Sequence, residues 1–248
     1  MNRHEGAGRE SGPHPSLLCR CARERATRCE HCGACDRLGE SMSTQAHWET
    51  SYRTKPADQR SWSTDADTSL RLITRHVPAS SAGVVDVGGG ASPLAQRLVT
   101  HGYSDVTVVD ISQTAIDEAI AGAGAMSADL VTWVCADVRS WQPGRTFDVW
   151  HDRAVLHFLI ASQDRDAYAK LVTQSLNPLG ILILASFAED GPESCSGLPV
   201  MRATHDQLSE LFGGHFDRLE VFREVHHTPW GSEQPFNWLV MRRRTSNR

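Results

Sequence analysis

The chain has 248 residues, a formal net charge of -5 and 40% hydrophobic residues. That length supports one substantial α/β domain with flexible ends, and the mild acidity speaks against a general nucleic-acid binder. No apolar stretch approaches the roughly 20 residues of a membrane span, and Met1-Asn-Arg-His-Glu is no secretory signal, so a cytoplasmic location is expected by default.

The N-terminal stretch differs from the rest. Five of the seven cysteines, Cys19, Cys21, Cys29, Cys32 and Cys35, precede residue 36. This uneven distribution does not suit a disulfide framework for the whole chain. Residues 1–41 hold seven arginines, six acids and few large apolar groups, so a disordered Cys-rich tail is expected there. Cys29-x-x-Cys32-x-x-Cys35, completed by His31 or Cys21, would suit tetrahedral zinc. It lacks a second paired-cysteine knuckle and a surrounding core, and no metal is assigned.

Residues 42–80 read as a lid and helical lead-in, 81–242 as the core, and 243–248 as a flexible tail that follows the basic Arg242. Trp48 and Tyr52 are four apart, as on one face of a short helix. Pro56 interrupts it, and Trp62 follows in an entrance segment. A second amphipathic helix runs around Leu70–His76, with Pro78 and small residues separating it from the first strand. That strand is Val84–Val87. Ser92 suits an N-cap and Pro93 a first helical position. Val106–Val109 is the second strand, and Ser112 caps a helix carrying Ile116 and Ile120. Val131–Cys135 is the third, and Phe147–Trp150 the fourth, followed by His151, Asp152 and Arg153.

Residues 162–177 read as a helix ended by Asn177-Pro-Leu-Gly180, and Ile181–Ala185 as a buried strand. Glu189–Gly197 is expected to be a loop that approaches substrate, with Cys195 exposed in it as a non-catalytic thiol. Thr204-x-x-Gln207 has the form of a capping box. Phe216–His226 and Phe236–Met241 are predicted as final strands. Apolar strands alternating with helices describe a covered, mainly parallel sheet.

The chemistry concentrates where strands end. In Gly83-Val-Val-Asp86-Val-Gly88-Gly89-Gly90-Ala-Ser92 a buried strand feeds a glycine turn, where backbone can approach a ligand closely. Asp110 ends the second strand and would accept hydrogen bonds from ribose hydroxyls. Asp137 follows the third and would accept from an adenine amino group or shape that pocket through its backbone. Three strand ends then converge on one nucleoside.

Residues 84–110 and 131–153 resemble the cofactor motifs of class I S-adenosylmethionine-dependent methyltransferases. Gly88-x-Gly90 keeps two glycines of the family's Gly-x-Gly-x-Gly loop, and Ser92 replaces the third. The resemblance implies a Rossmann-like, mainly parallel seven-stranded sheet with helices on both faces and a C-terminal antiparallel hairpin. It implies S-adenosyl-L-methionine as cofactor, with Asp86 toward the methionine amino end, Asp110 on ribose and Asp137 near adenine. Gly88, Gly89, Gly90, Ile111 and Val138 complete that set. His47 to Trp62 is also similar to the entrance region of a small bacterial methyltransferase group. In that likeness Trp48 covers the cofactor and Tyr52 and Trp62 reach the substrate, unless they simply pack. Arg153 joins the substrate contacts, unless it only pairs with an acid.

The implied reaction moves a sulfonium methyl group to a nucleophile, chiefly by proximity and orientation. His151 would remove a proton or orient a hydroxyl, or serve an ordinary hydrogen-bonding role. Asp152 would steer a polar acceptor or cap a helix. His157 is expected to be packed or capping, and His226-His227 to lie at a surface turn or else line an acceptor pocket. A small polar metabolite leads as acceptor, ahead of a protein side chain. A nicotinamide-dependent dehydrogenase shares the glycine turn and later acid, and a non-catalytic, cofactor-responsive scaffold is the non-enzyme alternative. The oligomeric state is not legible.

Overall fold

A computed structural model describes residues 33–124 and 129–245, with side chains from Thr44 onward. The chain divides into two units, Met1–Gly39 and Glu40–Arg248, and the second holds the sheet and the site. The expected tail 1–41 lies outside the described residues except for the backbone that opens helix α1, Gly33–Thr54.

Seven strands form one sheet: β1 (Gly83–Val87), β2 (Asp105–Asp110), β3 (Val131–Cys135), β4 (Phe147–Arg153), β5 (Leu176–Phe187), β8 (Phe216–His227) and β9 (Glu233–Arg243). Their order is β3-β2-β1-β4-β5-β9-β8. The pairs from β3 through β5 are parallel, and β9 runs antiparallel to both neighbours. The predicted architecture is therefore present. Connection order reverses between β1 and β4, which opens a crevice at their carboxyl ends. Two more short strands, β6 (Ser194–Cys195) and β7 (Leu198–Pro199), pair as a small hairpin.

Alternation along the strands sorts the core into two faces. Val84, Val106, Val108, Val149, Ile181 and Ile183 pack with Leu70, Leu72 and Ile73 of α2 (Asp67–His76) and Leu94 and Leu98 of α3 (Leu94–Thr100). Val85, Val87, Trp150, Leu182 and Leu184 pack on the other face with Tyr168 and Val172 of α5 (Ser162–Ser175) and Leu208 of α6 (His205–Leu211). Between β2 and β3 lies α4 (Gln113–Ala123). Because both faces of β1 are covered, all five of its residues are buried.

Several boundaries moved. The fourth strand continues through Arg153 rather than ending at Trp150, since His151, Asp152 and Arg153 keep pairing with Ile183, Leu184 and Ala185. The helix expected to reach residue 177 stops at Ser175, and β5 starts at once at Leu176. At α3 the N-cap is Pro93, one residue later than predicted, although the Ser92 hydroxyl still accepts the Leu94 N–H at 3.2 Å. Ser112 caps α4 as read, and Thr204 and Gln207 form the capping box. Of the two α4 isoleucines, Ile116 is buried and Ile120 exposed. No helix among the described residues is long and apolar enough to cross a membrane.

Candidate active site

Two adjoining cavities open at the carboxyl ends of β1–β4. The first is lined by Val87, Gly88, Val109, Asp110 and Ile111 from the first two strands, and by Asp137 and Val138 after β3. Trp48, Tyr52 and Trp62 close it from the lead-in, and Arg153 and Phe158 from the end of β4. The second is lined by Asp86, Gly88, Gly89, Ser92, Ser69 and His151, and shares Tyr52, Trp62 and Arg153 with the first.

Backbone geometry explains the glycines, but by a different route from the one expected. Gly88 and Gly90 have φ of +67° and +43°, a region that disfavours side chains. A Cβ on Gly90 would sit 2.5 Å from the Tyr52 hydroxyl and 2.9 Å from a carboxylate oxygen of Asp110. Gly90 lines neither cavity, so its missing side chain makes room for Tyr52 and Asp110 rather than for a ligand. Gly88, half-buried, and Gly89, buried, line the second cavity through their backbone, and a Cβ there would meet Val155 at 2.1 Å and Asp86 at 2.6 Å, respectively.

Asp110 is buried, and one oxygen accepts the Ser112 N–H at 2.8 Å. The Gly90 N–H also bonds this carboxyl, yet burial pushes its pKa up to about 7. Asp137 is engaged differently. Its oxygens accept the Arg139 Nε at 3.0 Å and the other guanidinium nitrogen at 2.6 Å, so the side chain holds its own turn against the cavity wall. That leaves the backbone-shaping alternative as the one its geometry favours.

The aromatic roof is a packed cluster as well as a cavity wall. Trp48 meets Trp62 and Phe158 edge-on with ring centroids 5.4 and 5.3 Å apart. Trp62 Nε1 donates to the Tyr52 hydroxyl at 3.2 Å. Sequence reasoning missed what anchors this roof. Arg60, 4% exposed, pairs with both Glu118 oxygens at 2.7 and 2.8 Å and donates to the Tyr52 and Lys55 carbonyls. Glu49 caps α4 by accepting the Gln113 N–H at 2.6 Å and the Thr114 N–H at 3.2 Å. The second partner in each case is distant in sequence, so no local signal marks it.

The extension of β4 decides the next two residues. His151 Nδ1 donates to Asp86 of the neighbouring β1 at 2.7 Å, and Nε2 pairs with the Ser69 hydroxyl of α2 at 2.9 Å. It borders the second cavity with both ring nitrogens engaged. Asp152, expected beside the acceptor, faces the opposite layer and lines no cavity described here. Its carboxylate accepts the Val155 and Leu156 N–H groups at 2.8 and 3.0 Å and the Tyr168 hydroxyl at 2.5 Å. This is the capping role weighed above, with burial holding the pKa up at about 6. Cys195, predicted in an exposed loop, is buried on the small hairpin and lines the first cavity. His226 and His227 lie on β8 rather than in a turn and line a further cavity, and His226 Nε2 donates to the Ser61 carbonyl at 2.8 Å. His157 is packed, as expected, among Phe158, Phe187 and Phe236.

Residues 84–180 match the model of a methyltransferase domain. Over those residues the chain carries a methyltransferase domain, consistent with a class I S-adenosylmethionine-dependent methyltransferase. The fold is shared with a Burkholderia thailandensis 1,6-didemethyltoxoflavin N1-methyltransferase solved with 1,6-didemethyltoxoflavin and S-adenosylhomocysteine. That structure is 18% identical with a TM-score of 0.65, over 85% of this chain and 90% of the other. An S-adenosylmethionine-dependent methyltransferase from Anabaena variabilis is 14% identical with a TM-score of 0.64, covering 83% and 95%. A glycopeptide N-methyltransferase bound to S-adenosylhomocysteine is 15% identical with a TM-score of 0.58, covering 73% and 90%. Comparison with curated protein sequences finds no match.

The residues of this methyltransferase fit the family's cofactor on their own geometry. Asp110, buried without a cationic partner, presents a carboxyl to a cavity whose neighbouring wall residues Ile111 and Val138 are apolar. The second cavity adds the glycine floor at the switch between β1 and β4.

Proposed function

We propose that the chain transfers a methyl group from S-adenosylmethionine to a small polar acceptor. The observation that carries this reading is the pair of adjoining cavities, with a buried acid at one end and an arginine-lined opening at the other. When bound, the cofactor supplies an electrophilic sulfonium methyl group. The chain's own residues bind and orient. Asp110 accepts from the ribose hydroxyls, and Ile111 and Val138 pack against the adenine beside the Asp137 turn. The backbone of Gly88 and Gly89 borders the space for the amino-acid end, near Asp86.

His151 acts as a positioning residue, because its Nδ1–H fixes Asp86 and both its nitrogens are already paired. Trp48, Tyr52 and Trp62 exclude water from above and, with Arg153, border the space left for the acceptor. No dedicated base is required of an acceptor that arrives nucleophilic.

Full-length protein incubated with methyl-labelled S-adenosylmethionine and separate low-mass and protein fractions of a cell extract tests the reading. Label in a low-mass product, identified by mass, is the expected result. Label confined to protein would establish the side-chain alternative. Failure to bind S-adenosylhomocysteine by calorimetry would overturn the cofactor assignment itself.

A further inference from the structure

Two enclosed guanidinium groups have unlike surroundings. Arg60 is neutralised by Glu118 and saturated by backbone carbonyls. Arg153 has no carboxylate within ion-pair distance among the described residues. Its hydrogen bond goes to the Trp62 carbonyl at 3.3 Å, and the guanidinium lies over the Phe236 ring, 4.9 Å from its centre. Burial pulls its pKa below arginine's ordinary value. Glu224 and Asp65 oppose that shift from beyond ion-pair distance; an enclosed cation with no carboxylate in direct contact is costly, and a planar fork of donors suits a carboxylate.

Arg153 also stands where three cavities meet. The third is walled by Thr64, Thr68 and Ser69 of the lead-in and by Glu224, His226 and His227 of β8. None of the glycine-turn residues lines it. Its acids accept hydrogen bonds from neutral donors and keep their charge, without reaching Arg153 directly. Glu224 accepts the Thr68 hydroxyl at 2.5 Å and Trp238 Nε1 at 2.8 Å, and exposed Asp65 accepts the Asp67 N–H at 3.0 Å. His226 is tied to Ser61.

We propose that the methyl acceptor carries an anionic group, a carboxylate or comparable oxyanion, which seats on Arg153 from this third cavity. The proposal rests on the first two cavities being the cofactor's place. Seated there, the acceptor has one end neutralised by Arg153 and the other directed into the first cavity, which Arg153 also lines. The other source of an anion is the cofactor's own carboxylate, arriving from the second cavity. The third cavity's separation from the glycine turn favours the acceptor.

The low-mass fraction of a cell extract is split on an anion exchanger, and each part is incubated with full-length protein and methyl-labelled S-adenosylmethionine. Transfer to compounds of the retained fraction is expected. Arg153→Gln should cut it about tenfold or more at limiting extract, with Arg153→Lys intermediate and S-adenosylhomocysteine affinity within about threefold of wild type. Label only in unretained compounds overturns the proposal. So does an Arg153→Gln loss of S-adenosylhomocysteine affinity with 5′-methylthioadenosine binding unchanged, since that assigns Arg153 to the cofactor carboxylate. If neither fraction is labelled, melting of the S-adenosylhomocysteine-loaded protein with acetate, glycolate or benzoate at constant ionic strength decides. Stabilisation lost in Arg153→Gln supports the anion site, and no stabilisation of wild type overturns it. A wild type that binds no S-adenosylhomocysteine instead refutes the underlying cofactor reading.

Discussion

Asp110 and Asp152 end neighbouring regions of the same sheet, both buried and both with raised pKa values, yet they do opposite work. Asp152 is closed on all sides: two backbone N–H groups and the Tyr168 hydroxyl take up its oxygens. Asp110 receives backbone donors too, but it borders a cavity and meets no cation among the described residues. A perturbed carboxyl is therefore not in itself a mark of chemistry. What separates the two is a lone pair with access to a ligand.

The largest test of that contrast is Asp152→Ala. It strands two backbone donors and a buried hydroxyl, so unfolding free energy should fall by about 3 kcal/mol or more. Chemical denaturation measures this, and cofactor affinity of the remaining folded protein should be nearly unchanged. A stable variant with poor cofactor binding would reverse the assignment.

Asp110→Asn should behave in the opposite way. S-adenosylhomocysteine binding should weaken by about 1.5–3 kcal/mol, the loss of a charged acceptor, while the fold persists. Calorimetry on both variants places them on one scale.

Gly90→Ala comes next. Its positive φ and the crowding by Tyr52 should cost about 1–2 kcal/mol of stability. Tyr52→Phe removes the obstructing hydroxyl, so the double variant should recover part of the loss in a thermodynamic cycle. Additive losses would mean that Tyr52 does not fill the space Gly90 leaves.

The smallest effect is in pH. Asp110 titrates near pH 7 in the folded chain, above its unfolded value of about 3.9. Its contribution to stability is therefore fully present below about pH 4 and lost as pH rises through 7. Ribose donors favour the ionised form, so stabilisation by S-adenosylhomocysteine should grow between pH 5.5 and 8. Melting curves of Asp110→Asn should lose that growth, whereas Asp152→Asn should retain it.

Much of the scaffold was legible. Continuous apolar runs named the buried strands, and the glycine turn after β1, Asp110 closing β2 and Asp137 after β3 mark real strand ends at the cavities. The Thr204 capping box was readable because both of its bonds span three residues. The side of the site beyond β4 was not readable. Reading that strand as ending at Trp150 placed His151 and Asp152 just past its carboxyl end, where either could have met an acceptor.

The sequence by itself determined the order of strands and helices and the glycine turn, because these follow from hydrophobic period and from backbone torsions set within a few residues. Only the tertiary structure decided which polar groups were left for a ligand. His151 finds Ser69 at a separation of 82 residues, and Arg60 finds Glu118 at 58. Asp152 is closed by Tyr168 from α5, while Arg153, one residue on, meets no carboxylate among the described residues. Alternation along a strand assigns each side chain to a face, but the partner on that face comes from another element, and the partner determines whether a charge is spent or available.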